Sequence, residues 1–261
     1  MNLRLQDMTI AEQVLLALSF LLLSLLIFDP LIYEQARALP RDVRVFFAAI
    51  TDIGRSAWML IPTGAAIALA LVLRRRHIGF RNEASYGLIA STLGFVFISV
   101  GGAALITNVV KQMIGRARPI LFDAVGPFDF EPFSFSRDYE SLPSGHAANI
   151  FALASALAIL WPRRKALTYT FATCIAASRV LIGEHYFTDI AVGAAMGAAF
   201  PYLVRNFFAA RRWFFERTAK GGYRVRGERT RRWLGWPGSG SQAVNVGLSG
   251  NKGKGTEFDR H

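Results

Sequence analysis

Hydrophobic residues along the chain fall into six long runs, each bounded by charged residues, prolines or glycines. A transmembrane helix needs about 20 mostly apolar residues, and the runs have or approach that length. We therefore predict an all-α, polytopic membrane protein with six transmembrane helices, at residues 10–28, 57–73, 86–110, 146–161, 166–182 and 188–208. The first run could be a cleaved signal peptide, but the small-x-small site at 36–38 lies well past its end. We expect it to be retained as a helix.

The charged residues between the runs predict how the helices are oriented. Short loops rich in Lys and Arg stay in the cytoplasm, and the basic clusters at 74–81, at 163–165 and beyond 205 fall on one side of a six-helix arrangement. The other loops then lie on the outer side, at 29–56, 111–145 and 183–187. We expect a protein of the inner (plasma) membrane, and any active site formed by the outer loops would face the periplasm or exterior. The first outer loop also has the spacing of an interfacial helix, at Val43, Phe46, Phe47 and Ile50.

The composition agrees with a membrane protein and excludes several other classes. Apolar residues make up 52% of the chain and charged residues only 18%, whereas soluble domains carry about 25% charged residues. This balance excludes a disordered chain, a collagen-like repeat and a disulfide-stapled secreted module. The single cysteine, Cys174, can form no internal disulfide. An unusually apolar soluble protein is the remaining alternative.

The positive charge of the chain is concentrated near its end. The formal net charge is +12, and the residues from Arg205 onward hold 13 Lys or Arg against 4 Asp or Glu, which accounts for nine of those charges. A nucleic-acid binder would carry its basic residues on a soluble fold, so we expect anionic lipids as the partner of this charge and no nucleic acid. We predict a six-helix transmembrane domain at 1–210 and a basic, disordered cytoplasmic tail at 211–261.

The first group of polar residues on the outer side ends the third predicted helix. Lys111 and Arg118 are seven residues apart, so they share one helix face if the helix continues to Pro119. A basic helix end that reaches into the lipid headgroups is an equally good interpretation of this group alone.

The second group begins the fourth predicted helix. Ser144 is a good N-cap residue, and Gly145 and His146 follow it. A helix start presents free backbone N–H groups to an anion. Taken alone, the group is better explained as an ordinary capped helix start.

The third group spans the fifth and sixth predicted helices. His185 and Asp189 are spaced i and i+4, so one helical turn can bring the carboxylate to the imidazole. A carboxylate there fixes the tautomer of the ring and stabilises positive charge that forms on it. An interfacial histidine beside a capping aspartate is the alternative, but it leaves Arg179 unexplained.

The predicted topology places all three groups on one membrane face. Together they supply three cations, a helix N-terminus and two histidines, one of them backed by a carboxylate. That combination suits a tetrahedral oxyanion with a leaving oxygen, which indicates phosphoryl transfer. No cluster of Asp, Glu and His has the spacing of metal ligands, so we expect no metal and no other cofactor.

The three groups resemble the motifs of a known family. Lys-x6-Arg-Pro, Pro-Ser-Gly-His and Ser-Arg-x5-His-x3-Asp occur here in that order between Lys111 and Asp189, and they resemble the three motifs of the type 2 phosphatidic acid phosphatase (PAP2) superfamily. The resemblance implies that His185 is the nucleophile that forms a phosphohistidine and that Asp189 orients it. It implies that His146 protonates the leaving oxygen and later assists the attacking water. The phosphate oxygens would be held by Lys111, Arg118, Ser144, Gly145 and Arg179.

The resemblance implies a metal-independent phosphatase that acts on a membrane lipid phosphate or pyrophosphate. Members of this superfamily hydrolyse phosphatidate, phosphatidylglycerol phosphate, undecaprenyl pyrophosphate or the 1-phosphate of lipid A, and the sequence does not choose among them. A lipid phosphotransferase and a non-catalytic protein that binds or transports lipid phosphates are the alternatives. The related vanadate-dependent haloperoxidases are expected to be soluble, and six predicted membrane helices argue against them.

The outer loop at 120–142 alternates aromatic and acidic residues. Its aromatic side chains could lie in the headgroup zone and guide a lipid towards the site, or they could cover the mouth of the helix bundle.

Overall fold

The computed structural model describes residues 8–76, 80–219 and 221–227, and within them the chain is mostly helical, as predicted. All six apolar runs coincide with helices, and the predicted interfacial residues lie on a seventh. The helices are α1 (Ile10–Leu23, continued by a π-helical turn at Ser24–Phe28), α2 (Asp29–Arg37), α3 (Arg41–Thr51), α4 (Ser56–Arg76), α5 (Phe80–Ile114), α6 (Phe122–Val125), α7 (Gly145–Leu160), α8 (Lys165–Leu181) and α9 (Phe187–Ala210).

Four helical stretches in the described part of the chain are long and apolar enough to cross a membrane. They are Ile10–Arg37, Arg41–Arg76, Ser85–Ile114 and Phe187–Ala210. At most 39% of the apolar window of any of them is buried inside the protein, so most of this apolar surface faces outward, as a lipid-facing surface does. The other two predicted spans, α7 and α8, are only 16 and 17 residues long. The count of six spans therefore stays a prediction.

Helix α7 lies in the centre of the bundle, where it packs against α5, α8 and α9. Alanines make up much of its buried surface, and their small side chains allow neighbouring helices to approach closely. On α9, Gly193 and Gly197 lie one turn apart, and a Cβ atom on them would overlap the carbonyl oxygens of Ser144 and Ala148. The start of α7 is thus fixed against the first turns of α9.

The beginning of the predicted disordered tail is folded. Strand β1 (Phe215–Arg217) pairs antiparallel with β2 (Tyr223–Val225), which also departs from the all-α prediction. The side chains of Phe214, Phe215 and Val225 are buried in a cluster with residues of α5 and α9. The prediction treats residues 211–261 as one disordered tail, but the apolar residues of this segment bury enough surface to order it. Residues 228–261 of the predicted tail lie outside the described residues.

Candidate active site

Six of the eight residues singled out from the sequence line one cavity of about 300 Å³. The cavity lies where the end of α5, the start of α7, the end of α8 and the turn before α9 meet. The remaining two residues, Ser144 and Asp189, are fully buried, and they adjoin the cavity through their neighbours Gly145 and His185. The six lining residues are Lys111, Arg118, Gly145, His146, Arg179 and His185.

The first motif does not form one continuous helix to Pro119, so the condition under which Lys111 and Arg118 would share a helix face is not met. Helix α5 ends at Ile114, and Gly115 adopts a left-handed conformation with φ of 60°. Glycine is the residue that most readily ends a helix in this way, and a side chain here would also overlap the backbone of Glu131. Both cations still reach the cavity because the chain turns back at Gly115.

The outer loop holds the extended part of the first motif in place. The N–H of Ala117 donates to the carbonyl of Asp129 at 2.9 Å, and the N–H of Arg118 donates to the carbonyl of Asp138 at 2.7 Å. These two hydrogen bonds fix the backbone at Arg118, and the side chain of Arg118 lines the cavity from this fixed point.

The second motif forms a capped helix start beside a lysine. The prediction that Ser144 is an N-cap is confirmed, since its Oγ accepts the N–H of Ala147 at 3.5 Å. A Cβ atom on Gly145 would lie 3.8 Å from Nζ of Lys111. The positive end of the helix dipole and an ammonium group thus lie side by side, an arrangement that favours an anion.

The third motif brings a histidine and a carboxylate together across a tight turn. His185 lies in the turn before α9 rather than within the helix, and its N–H donates to the carbonyl of Arg179 at 3.3 Å. Its Nδ1 lies 3.6 Å from Oδ2 of Asp189, a little longer than a hydrogen bond. Because Nδ1 faces the carboxylate, Nε2 is the nitrogen that remains for a substrate.

Asp189 makes closer contacts with three other residues than it makes with His185. Its Oδ1 accepts Nη1 of Arg116 at 2.7 Å, and its Oδ2 accepts the hydroxyl of Ser141 at 2.5 Å and the backbone N–H of Tyr186 at 2.9 Å. The carboxylate is fully buried. Its position is therefore fixed independently of His185.

Arg116 lies between two buried carboxylates. Its Nη2 donates to Oδ2 of Asp29 at 2.8 Å and to the carbonyl of Pro127 at 3.0 Å. Asp29 in turn accepts the backbone N–H and the hydroxyl of Thr188, at 2.8 and 2.9 Å. The side chains of Arg116, Asp29 and Asp189 are each 0% exposed. The single positive charge of Arg116 therefore offsets part of the negative charge that the two carboxylates bring into the protein interior.

His146 is confined by the turn between α3 and α4. A Cβ atom on Gly54 would lie 3.0 Å from two carbon atoms of the His146 side chain, so the glycine leaves space for the ring. The carbonyl of Gly54 also accepts Nδ2 of Asn149, one turn along α7, at 3.3 Å. Nε2 of His146 is buried and has no hydrogen-bond partner among the described residues.

Cationic side chains dominate the wall of the cavity. Five of its lining residues are Lys or Arg, and none of those described is an Asp or Glu. Glu184 touches two of the cations from outside the cavity, at 2.7 Å from Arg118 and 3.3 Å from Arg179. Nε of Arg118 and Nε of Arg179 are buried without a partner in the described part of the chain. The cavity is suited to a multiply charged anion.

Burial lowers the pKa of His185 to about 4, and the positive charges of Lys111 and Arg179 act in the same direction. Asp189 opposes the shift because its carboxylate favours the protonated ring. The imidazole is therefore neutral near pH 7 and carries the lone pair that a nucleophile needs.

Comparison with known proteins agrees with the motifs. The PAP2 superfamily model matches residues 92–213, a range that includes all eight site residues. Lipid A 1-phosphatase of Rhizobium johnstonii is 33% identical over 198 residues, which cover 74% of this chain and 78% of that protein. The chain belongs to the PAP2 superfamily. Phosphatidylglycerophosphatase B of Bacillus subtilis is 29% identical to this PAP2 protein over 44% of the chain and 57% of its own length.

Among solved structures, this PAP2 protein is similar to the crystal structure of Aquifex aeolicus LpxE. The two share 21% sequence identity over 68% of this chain and 94% of the other, with a TM-score of 0.47.

The structure adds residues to the PAP2 site that sequence reasoning missed. Arg55 and Arg137 line the cavity, and Arg116 holds Asp189 from behind it. Arg116 had a signal of its own, because it is a third cation within the first motif, between Lys111 and Arg118. Arg55 and Arg137 lie in segments of mixed charge, and no local pattern separates them from their neighbours. Among the residues at 8–76, 80–219 and 221–227, no group of three His, Cys, Asp or Glu could hold a metal ion.

Proposed function

We propose that this multi-pass membrane phosphatase of the PAP2 type removes phosphate from a lipid phosphate through a phosphohistidine on His185. One observation carries the proposal. A single cavity contains a neutral histidine backed by a fixed carboxylate, a second histidine and five cationic side chains. Binding of phosphate needs only the cations, whereas the two histidines supply the nucleophile and the acid that hydrolysis requires.

In the first step, Nε2 of His185 attacks phosphorus, so that a P–N bond forms as the P–O bond to the lipid breaks. A proton held on His146 passes to the departing lipid oxygen. The cations neutralise the charge on the three equatorial oxygens of the transferring group. Asp189 stabilises the positive charge that develops on His185.

In the second step, water attacks phosphorus and the P–N bond breaks. His146, now neutral, takes the proton from the water, and inorganic phosphate leaves. His185 returns to its neutral form and is ready for a second turnover.

A lipid is the substrate class that the structure and the relatives favour. The cavity opens among helices with apolar outer surfaces, and a site in such a helix bundle meets molecules that partition into the bilayer. Two curated relatives, 33% and 32% identical over about three quarters of the chain, are named lipid A 1-phosphatase. We propose lipid A as the first substrate to test and phosphatidylglycerol phosphate as the second.

The outer loop supports access from the lipid phase. Phe133 and Phe135 are 59% and 72% exposed, and both residues hold left-handed backbone conformations. Aromatic residues at this level settle in the headgroup zone. The exposure of these aromatic residues supports the interpretation that the loop guides a lipid towards the site. It does not fit a loop whose aromatic residues cover the mouth of the helix bundle.

We further propose six spans with the site on the periplasmic side of the inner membrane, as the charge pattern predicts. A cysteine at Asp129 or at Arg164, each in a Cys174→Ala background, tests this arrangement. A membrane-impermeant thiol reagent applied to intact cells should label the cysteine at 129 and miss the one at 164. Labelling in the reverse order would place the site in the cytoplasm.

Release of inorganic phosphate from a panel of lipid phosphates in detergent tests the activity itself. The wild-type protein should release phosphate in excess EDTA, because the cavity cations supply the neutralising charge. His185→Ala should release none, and Cys174→Ala, an exposed position on α8, should match the wild type. Binding of the lipids without phosphate release would instead indicate a lipid-binding or transport protein.

A further inference from the structure

A second cavity lies directly beside the catalytic one. It has a volume of about 480 Å³ and is lined by residues from α2, α3, the first motif, the outer loop and the turn after α8. Arg118 and Arg137 line both cavities. A molecule that occupies the catalytic cavity therefore has this second space as its immediate neighbour.

The second cavity also has the charge of an anion site. Four arginines from separate segments of the chain line it, against two carboxylates, Asp138 and Glu184. Four arginines against two carboxylates give the cavity a net positive charge, which favours an anion. The arginines are Arg37, Arg44, Arg118 and Arg137.

The arginines of this cavity are available to a ligand to different degrees. Arg118 is engaged by Glu184 at 2.7 Å, with its side chain 11% exposed. Arg37 pairs with Asp123 at 2.7 Å, but both side chains are more than half exposed, and such surface pairs contribute little. Arg44 and Arg137 have no carboxylate within ion-pair distance in the described part of the chain, and their planar guanidinium groups match a phosphate.

We propose that the second cavity binds a second phosphate group of the same substrate, so that the enzyme prefers lipids that carry two separate phosphates. The proposal rests on the proposed function, because it names the substrate class of that site. The phosphate to be removed lies against His185, and the other lies against Arg44 and Arg137, the two arginines that have no carboxylate within ion-pair distance among the described residues. Because the second group is attached to the first, its binding is intramolecular and adds directly to affinity.

A matched pair of substrates and a matched pair of variants test this proposal. The substrates are two synthetic glycolipids with identical acyl chains, one with a single phosphate and one with two phosphates on separate sugar carbons. The variants are Arg44→Gln and Arg41→Gln. Arg41 is also an exposed arginine of α3, about one turn from Arg44, but it does not line the cavity.

The wild-type enzyme should turn over the bisphosphate with a kcat/KM about tenfold higher than the monophosphate, which is the effect of one charge-assisted hydrogen bond at an open site. Arg44→Gln should remove most of that preference and leave kcat/KM for the monophosphate unchanged. Arg41→Gln should keep the preference. Equal kcat/KM for both lipids in the wild type, or equal losses on both in Arg44→Gln, would overturn the proposal.

Inhibition of monophosphate turnover by inorganic phosphate separates the two sources of phosphate. If the cavity serves the substrate, Arg44→Gln should leave this inhibition unchanged. A weaker inhibition in Arg44→Gln, with no change in the preference for the bisphosphate, would show a site for free phosphate and would contradict the proposal. Absence of turnover on every lipid would instead count against the proposed function.

Discussion

The guanidinium of Arg116 lies 2.7 Å from Oδ1 of Asp189, closer than the 3.6 Å that separates Oδ2 from Nδ1 of His185. The carboxylate that orients the proposed nucleophile is thus itself oriented by an arginine outside the cavity. The same guanidinium contacts Asp29, which is bonded to Thr188 at the start of α9. A buried network therefore connects the end of the first apolar run to the turn that carries His185.

Removal of Arg116 together with one of its carboxylates should change the titration of His185. In the double variant Asp29→Asn/Arg116→Gln, one cation and one anion are lost, so the buried network keeps its charge balance. The carboxylate of Asp189 then acts on His185 without the opposing charge of the guanidinium. This favours the protonated ring and raises the pKa of His185. The acid limb of kcat should move to higher pH by about one unit, and kcat should fall.

The single variant Asp29→Asn is the control for this prediction, because it leaves the contact between Arg116 and Asp189 in place. Its acid limb should coincide with that of the wild type. A purely structural role for Arg116 would lower kcat at every pH without moving the limb. The single variant Arg116→Gln should be destabilised by about 3–5 kcal/mol, because two buried carboxylates lose their counter-charge.

The wild-type enzyme should keep its activity well into the acid range. The pKa of His185 is lowered to about 4 by burial, so the neutral, nucleophilic ring persists as the pH falls from 7 to 5. Below about pH 4 the ring takes up a proton and loses its lone pair, and kcat should fall. Measurement of kcat under saturating substrate checks this, and a limb near the ordinary histidine pKa of about 6.5 would contradict it.

The lowered pKa of His185 also predicts that the protein loses stability in acid. Between about pH 6.5 and 4 the unfolded chain has a protonated His185 while the folded protein keeps it neutral. Because the unfolded state then binds more protons, the free energy of unfolding should fall as the pH falls through this window. His185→Asn, which cannot titrate there, should show a smaller loss in denaturation experiments over the same range.

Substitution of His146 should affect substrates according to their leaving groups. If His146 protonates the departing oxygen, His146→Ala should slow an alkyl lipid phosphate by about 10²–10⁴-fold. A p-nitrophenyl ester, whose leaving group departs unaided, should be affected far less. Equal losses on both substrates would remove His146 from the acid role.

Gly54→Ala tests the same role from outside the cavity. The added methyl group would lie 3.0 Å from the ring of His146, so the ring must shift by a few tenths of an ångström. The variant should therefore reproduce part of the effect of His146→Ala, again mainly on the alkyl substrate. A uniform loss on both substrates would indicate a general distortion of the site.

Close packing of α7 and α9 should be sensitive to a single methyl group. In Gly197→Ala the new Cβ would overlap the carbonyl oxygen of Ala148, and overpacking of this kind costs about 1–3 kcal/mol. We expect a lower melting temperature and lower activity, because the helices that carry His146 and Asp189 move apart. Gly94→Ala is the control, since nothing lies within 4 Å of the new Cβ, and it should leave the melting temperature unchanged or raised.

Local patterns predicted the helices well, and they pointed to six residues that line one cavity in the structure. A long apolar run in a bilayer must satisfy its own backbone hydrogen bonds and therefore forms a helix, which is why the six runs coincide with helices. Lys111, His146 and His185 could be identified because their motifs lie at helix ends on one predicted face. The rule that short loops rich in Lys and Arg stay in the cytoplasm predicts that these helix ends share the opposite face.

The supporting contacts could not be predicted because they join distant parts of the chain. Arg116 contacts Asp29 and Asp189 across 87 and 73 residues, and no periodicity extends that far. Asp29 could be interpreted only as the end of an apolar run. The β-hairpin was missed for a related reason, since Phe215 and Val225 become ordered only by packing against α5 and α9.

Rapid quench with a ³²P-labelled lipid phosphate tests the phosphohistidine most directly. A P–N bond persists in alkali and breaks quickly in acid, the reverse of an acyl phosphate on Asp189. Wild-type protein quenched in base should carry label that brief acidification removes, and His185→Ala should carry none. With a good leaving group, His146→Asn should accumulate more label, because activation of water is then the slow step. Turnover without protein-bound label under any quench would show direct attack by water and contradict the role of His185 as the nucleophile.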